Sequence, residues 1–144
     1  LVDPLDGTKE FVKKNGEFTV NIAYVEDGRV KAGIVYIPVA DVAYYSDGNK
    51  SYKNIQGKEY EIKCQPEHTP LRVVASRSHF SDETKKYIEK LNKKYELVSI
   101  GSSLKLCLVA EGTADIYPRL GPTMEWDTAA AHSVVKGAGG KVVS

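Results

Sequence analysis

The period of hydrophobic and polar positions changes once along the chain, and that change divides it. Over residues 17–25 the alternation is strict: Phe18, Val20, Ile22 and Tyr24 fall on one side, Thr19, Asn21 and Ala23 on the other. A period of two is that of a half-buried strand. Glu26, Asp27, Gly28 and Arg29 follow as a hairpin turn, with Asp-Gly its strongest element. A returning strand is expected over 30–37, closed by Pro38, and a third over 42–46. Asp47, Gly48, Asn49 and Lys50 turn this into a fourth strand at 51–55, and a fifth is expected over 60–63. Successive strands joined by tight turns make an antiparallel meander.

Beyond Pro66 and Pro70 the pattern is different. An apolar strand at 71–75 leads to a helical stretch at 81–94, in which Tyr87, Ile88, Leu91 and Tyr95 recur at helical spacing. Asp82 and Glu83 fall in its first turn, where the helix dipole favours them. Lys85, Lys86, Lys90, Lys93 and Lys94 form its wet face. A strand at 95–100 and a buried apolar helix at 102–111, stopped by Gly112, come next. A strand at 114–117 and a helix at 128–136, closed by Gly137, Gly139 and Gly140, complete the series. Alternating strand and helix implies a largely parallel, doubly covered sheet. The expectation is therefore an antiparallel-sheet part of an α+β domain over 1–69, followed by an α/β domain over 70–144. The chain also reads as a piece of a longer one, because it begins without Met and stops inside the strand-like run 141–143.

Composition narrows the function classes. A formal charge of +1 in 144 residues, with both signs interspersed, lacks the basic stripe of a nucleic-acid binder. No apolar run is long enough to span a bilayer. The two cysteines, Cys64 and Cys107, stand far apart without metal-ligand spacing, and read as reduced thiols of a cytoplasmic protein.

Candidate chemistry begins at the first residues, Leu1-Val2-Asp3-Pro4-Leu5-Asp6-Gly7-Thr8. Pro4 biases Asp3 toward extended geometry, and Gly7 takes a φ closed to other residues. That geometry lets Asp3, Asp6 and the Leu5 carbonyl converge at a strand end. Thr8 then opens a helix whose free N–H groups suit an anion, with Gly7 and Thr8 as the phosphate donors. Carboxylates beside an anion site require a cation between them, and hard oxygen ligands point to Mg²⁺. A third carboxylate, Asp127, stands at the N-cap of the last helix, within Glu125-Trp126-Asp127-Thr128-Ala129-Ala130.

These two stretches resemble the paired signatures of the inositol monophosphatase superfamily of metal-dependent phosphatases. The resemblance extends through residues 17–23, Ser76-Arg77-Ser78-His79, residues 99–105 and Ala110-Glu111-Gly112 to the CysQ-type 3'(2'),5'-bisphosphate nucleotidases. It implies a layered αβαβα sandwich. It also implies Mg²⁺ held by Asp3, Asp6, Asp127 and the Leu5 carbonyl, with the Thr8 hydroxyl and Asp6 acting in catalysis. His79, Ser103, Lys105 and Arg119 would contact the nucleotide, with Ser102 the alternative to Ser103. The implied reaction converts adenosine 3',5'-bisphosphate to AMP and phosphate by metal-activated water, without a covalent intermediate. The resemblance further implies a role in sulfur assimilation, sensitivity to lithium, and a location in the cytoplasm or at the inner face of the membrane.

The family's upstream glutamate, a ligand and a partner in water activation, is not matched here; Glu10, Glu17 and Glu26 do not stand in its motif. Rival expectations are an inositol or other sugar-phosphate phosphatase and a non-catalytic metal- or phosphate-binding fragment. Ser102-Ser103-Leu104-Lys105 also spells Ser-x-x-Lys, but neither Ser-Asp-Asn nor Lys-Thr-Gly accompanies it, which disfavours a serine nucleophile. His68 and His132 have no cluster around them in the sequence. Ala131 stands where the family commonly has glycine.

Overall fold

A computed structural model describes residues 1–76 and 81–143. The first strand, β1 (Val2–Asp6), runs into a short helix, α1 (Thr8–Lys13). Five strands follow: β2 (Thr19–Glu26), β3 (Arg29–Ile37), β4 (Val42–Ser46), β5 (Ser51–Ile55) and β6 (Lys58–Ile62). They form one sheet in the order β1-β2-β3-β4-β5-β6, antiparallel throughout. The meander is therefore as expected, with β1 added at its edge through Val2–Ile22 and Asp3–Asn21 pairing. Left-handed φ values at Asp27 and Gly28, 49° and 69°, make the first hairpin turn, where Asp and Gly carry the least strain.

The second half gives β7 (Leu71–Ser76), α2 (Asp82–Lys90), β8 (Tyr95–Ile100), α3 (Leu104–Ala110) and α4 (Glu125–Gly137). Strands β7 and β8 pair in parallel, as an intervening helix requires. The strand expected at 114–117 is reduced to a bridge between Ile116 and Val73. Its backbone is held by Asp115 N–H to the Arg72 carbonyl at 2.8 Å and Val74 N–H to the Ile116 carbonyl at 2.8 Å. Tyr117-Pro118 ends the pairing, since proline offers no N–H. Helix α2 begins behind Ser81, whose hydroxyl accepts from Thr84 N–H at 3.2 Å, and buries Thr84 and Ile88 while its lysines face water. Among the described residues, no helix is long and apolar enough to cross a membrane.

Helix α4 decides the packing. It lies on the six-stranded sheet, over the row Ala23, Gly33, Ser46 and Ser51, which the strand registers align. Small residues on both surfaces permit a close approach: an added Cβ at Gly33 would stand 2.8 Å from the Cα and carbonyl of Ala130. Ser51 Oγ donates to the Val134 carbonyl at 2.6 Å across this contact. The main core joins Val35, Ile37 and Tyr44 of the sheet to Leu104, Cys107, Val134 and Val135 of α3 and α4, so both halves of the chain share it. Ala131 is buried within the same core.

This placement also decides which face of β2 is covered. Strand β2 alternates as expected, but its covered face is Thr19, Asn21 and Ala23, while Ile22 and Tyr24 on the opposite face are exposed. Cys64 and Cys107 are both free thiols, and burial pushes the Cys107 thiol well above its ordinary range.

Candidate metal and phosphate site

Three carboxylates from opposite ends of the sequence meet at one end of the sheet. Asp3 and Asp6 come from β1 and Asp127 from the first turn of α4, each offering an oxygen within 4.8 Å of the others. Each is held by the chain's own hydrogen bonds. The Asp3 carboxylate accepts from Leu5 N–H at 3.0 Å, closing an Asx-type turn around Pro4. Asp127 Oδ2 accepts from Met124 N–H at 3.1 Å and from Thr123 Oγ1 at 3.2 Å. The helix thus begins at Glu125, ahead of the start expected at 128, and Asp127 is its third residue rather than its N-cap. It reaches back to bond an otherwise unpaired N–H, as acidic residues at that position do.

Burial pushes the Asp3 carboxyl above its ordinary pKa, and the neighbouring Asp6 and Asp127 charges add to the rise, against the Leu5 N–H. Three close carboxylates in a partly buried recess, one of them reluctant to ionise, fit a divalent cation with hard oxygen ligands.

Beside the carboxylates opens a cleft of about 690 Å³ whose wall includes Asp6, Gly7, Thr8, Lys105, Arg119 and Asp127. Gly7 adopts φ 86°, the left-handed value expected of it, and Thr8 is the first helical residue after it. Lys105 is only 7% exposed. Its ammonium donates to the Ser102 carbonyl and lies 5.6 Å from the centre of the Tyr117 ring. Burial lowers the pKa of Lys105 and Arg119 works in the same direction, while Asp6, Glu10 and Glu17 oppose it. A largely buried ammonium on the cleft wall makes that wall receptive to an anion. Arg119, exposed, donates to the Pro122 carbonyl at 2.9 Å. His79 lies outside the described residues.

Ser103 is placed differently from the two cations. It is 6% exposed, and its hydroxyl lies 2.7 Å from Asp6 Oδ2, 3.0 Å from the Asp127 carbonyl and 2.8 Å from the Asn21 amide nitrogen. Its N–H also donates to Asp6 Oδ2, at 2.6 Å. Asn21, Thr19, Glu17 and Gly101 support the site; they lie in the resembling stretches 17–23 and 99–105, but the sequence assigns none of them a role there. Thr19 donates to Asn21 Oδ1 at 3.0 Å, and Glu17 accepts from Gly101 N–H at 2.8 Å, 84 residues away. The one available signal was that Thr19 and Asn21 share a strand face, the face that proves to be buried.

A separate cluster ties β7 to the loop behind the cleft. Asp115 accepts from Arg72 N–H at 2.7 Å and from its guanidinium at 2.9 and 3.3 Å, with His68 3.3 Å away. Burial opposes its ionisation, yet the Arg72 bonds prevail and hold its pKa down to about 2. His68 thus has a structural setting. His132 is half-buried at the cleft wall, and burial lowers its pKa, with help from Lys136.

The whole chain, residues 1–144, matches the model of the inositol monophosphatase family. The 3'(2'),5'-bisphosphate nucleotidase CysQ of Salmonella typhimurium is 54% identical over 142 residues, covering 99% of this chain and 57% of that protein. CysQ of Escherichia coli K12 is 53% identical with the same coverage. Among solved structures, CysQ from Bacteroides thetaiotaomicron superposes with a TM-score of 0.88 at 45% identity, over 96% of this chain and 58% of that one. SuhB of Mycobacterium tuberculosis gives 0.83 at 25% identity, over 99% and 60%. The chain thus spans little more than half the length of these curated relatives.

Proposed function

The chain belongs to the inositol monophosphatase family, and from that premise we propose that it carries the metal and phosphate site of a nucleotide phosphomonoesterase. The substrate is adenosine 3',5'-bisphosphate, and the products are AMP and inorganic phosphate. The observation that carries this reading is the convergence of Asp3, Asp6 and Asp127 beside a cleft walled by Lys105 and Arg119. The same name, bisphosphate nucleotidase, attaches to the CysQ relatives at 54% and 53% identity and supports the choice of substrate.

Asp3, Asp6 and Asp127, with the Leu5 carbonyl, are the residues that would hold Mg²⁺. Bound there, the cation supplies Lewis-acid polarisation of a phosphoryl oxygen and lowers the pKa of coordinated water. The protein's own part is to place the other groups. Gly7 and Thr8 N–H groups bind phosphate oxygens, and the Thr8 hydroxyl orients the attacking water. Lys105 and Arg119 receive the second phosphate, which no monophosphate ester of inositol possesses; His79 is assigned to the nucleotide. The reaction is proposed for the complete polypeptide, with a domain division near residue 69.

Phosphate release by that polypeptide with Mg²⁺ tests the proposal, using adenosine 3',5'-bisphosphate and inositol 1-phosphate side by side. Strong preference for the bisphosphate, abolished in Asp127→Asn, is expected. Preference for inositol phosphate would keep the site and overturn the substrate. No release from either ester would favour a binding role.

A further inference from the structure

A serine that precedes a helix ordinarily caps it, its oxygen accepting an N–H of the first turn. Ser103 stands at that position before α3 and makes no such bond. Its hydroxyl points instead to Asp6 at 2.7 Å, with the Asp127 carbonyl at 3.0 Å. Its backbone is helical, φ −66° and ψ −6°, rather than the extended form of a capping residue, and this turns the hydroxyl away from the first turn and toward the carboxylates. We infer that Ser103 is a positioning residue, which fixes the Asp6 carboxylate for metal binding and does not contact the nucleotide. This rests on the metal site proposed above and gives Ser103 a role other than the one the family resemblance implies.

Proton counting supports it. A hydroxyl has one proton and two lone pairs. Asn21 donates to the Ser103 oxygen at 2.8 Å, and the Thr19 hydroxyl lies 3.0 Å from Asn21 Oδ1 and 3.4 Å from Asp6 Oδ2; the shorter contact takes its one proton and is the bond that turns the amide nitrogen toward Ser103. The Ser103 proton is then left for Asp6 or the Asp127 carbonyl. With the Ser103 N–H at 2.6 Å and the Thr19 hydroxyl at 3.4 Å, Asp6 Oδ2 faces three donors, and its other oxygen remains for a cation. A carboxylate is otherwise broad about its terminal torsion, so these bonds set its plane. The corner that aims Ser103 is itself constrained. Ser102 adopts φ 48°, and Gly101 N–H is held by Glu17.

Calorimetric titration of the complete polypeptide with Mg²⁺ and with Mn²⁺ is the test. Ser103→Ala keeps the N–H and removes the hydroxyl. Binding of both metals should weaken about 10- to 100-fold, the usual result of removing a group that orients a ligand. At Mg²⁺ concentrations saturating each variant, KM for adenosine 3',5'-bisphosphate should stay at the wild-type value. A nucleotide contact would show the reverse, a wild-type metal Kd with raised KM, and that result overturns the inference. Asn21→Ala provides the second variant, keeping the serine but freeing its oxygen; metal binding should weaken in the same direction by less. A wild-type metal Kd in Asn21→Ala overturns the inference even if Ser103→Ala does not fold. Absence of metal binding by the wild type would defeat the metal site itself.

Discussion

Gly33→Ala tests whether the seat of α4 on the sheet controls the metal site. The added methyl would lie 2.8 Å from both the Cα and the carbonyl of Ala130, backbone atoms that no rotamer change removes. Restoring an ordinary 3.4 Å contact requires the helix to retreat by roughly 0.6 Å. Overpacking of this kind costs about 1–3 kcal/mol, which at about 2–4 °C per kcal/mol lowers Tm by roughly 2–12 °C. Asp127 lies one turn before Ala130 on the same helix, so the retreat carries it away from Asp3 and Asp6. Mg²⁺ demands near-ideal oxygen geometry, and a displacement of this size should weaken binding about tenfold. Thermal melts of the complete polypeptide with EDTA and with saturating Mg²⁺ read both effects. The Mg²⁺-dependent rise should shrink by the equivalent of about 1.4 kcal/mol, the free energy of a tenfold change in Kd. Gly28→Ala serves as control, because φ there is 69° and nothing lies within 4 Å. It should lower Tm through strain and leave the Mg²⁺ increment intact. A Gly33→Ala protein with wild-type Tm and a wild-type Mg²⁺ increment would refute the reasoning.

Two further predictions concern pH. Asp115 has a folded pKa of about 2, below its unfolded value, so it stabilises above the ordinary carboxylate range and loses that contribution as pH falls from roughly 4 to 2. The contribution is about 2 kcal/mol, and urea titrations should show a flatter acid limb in Asp115→Asn than in wild type; identical limbs would count against the Arg72 pairing. Asp3 has the opposite sign: its folded pKa is raised, so the metal-free protein gains stability from it as pH falls through that raised value. Comparing wild type with Asp3→Asn in EDTA should show this gain only in wild type, and saturating Mg²⁺ should reverse it by favouring the ionised form.

The β-meander is legible because Asp27-Gly28 and Asp47-Gly48 mark two of its turns, Pro38 ends β3, and the alternation over 17–25 marks β2. The carboxylates of Asp3, Asp6 and Asp127 were legible as well, being embedded in short motifs whose backbone conformations are local. The strand expected at 114–117 was not borne out, because pairing depends on where β7 lies and Pro118 withdraws an N–H. Helix α4 starts at Glu125, ahead of the expected 128, since the cap is made by Asp127 reaching backward to Met124.

What the sequence by itself determined is local: turns, periods, the left-handed Gly7 and the residue types able to hold a hard cation. Tertiary structure decided which strand face is covered, because periodicity separates two faces without ranking them. Helix α4 packs on β2, whose Thr19, Asn21 and Ala23 are buried while Ile22 and Tyr24 are exposed. It also decided the setting of Ser103. A hydroxyl before a helix has a local partner available, and only the arrival of β1 and β2 from about 80 or more residues away offered it Asp6 and Asn21 instead. Hydrogen bonds over that separation leave no period or spacing in the chain. They follow from the packing that brings their partners together.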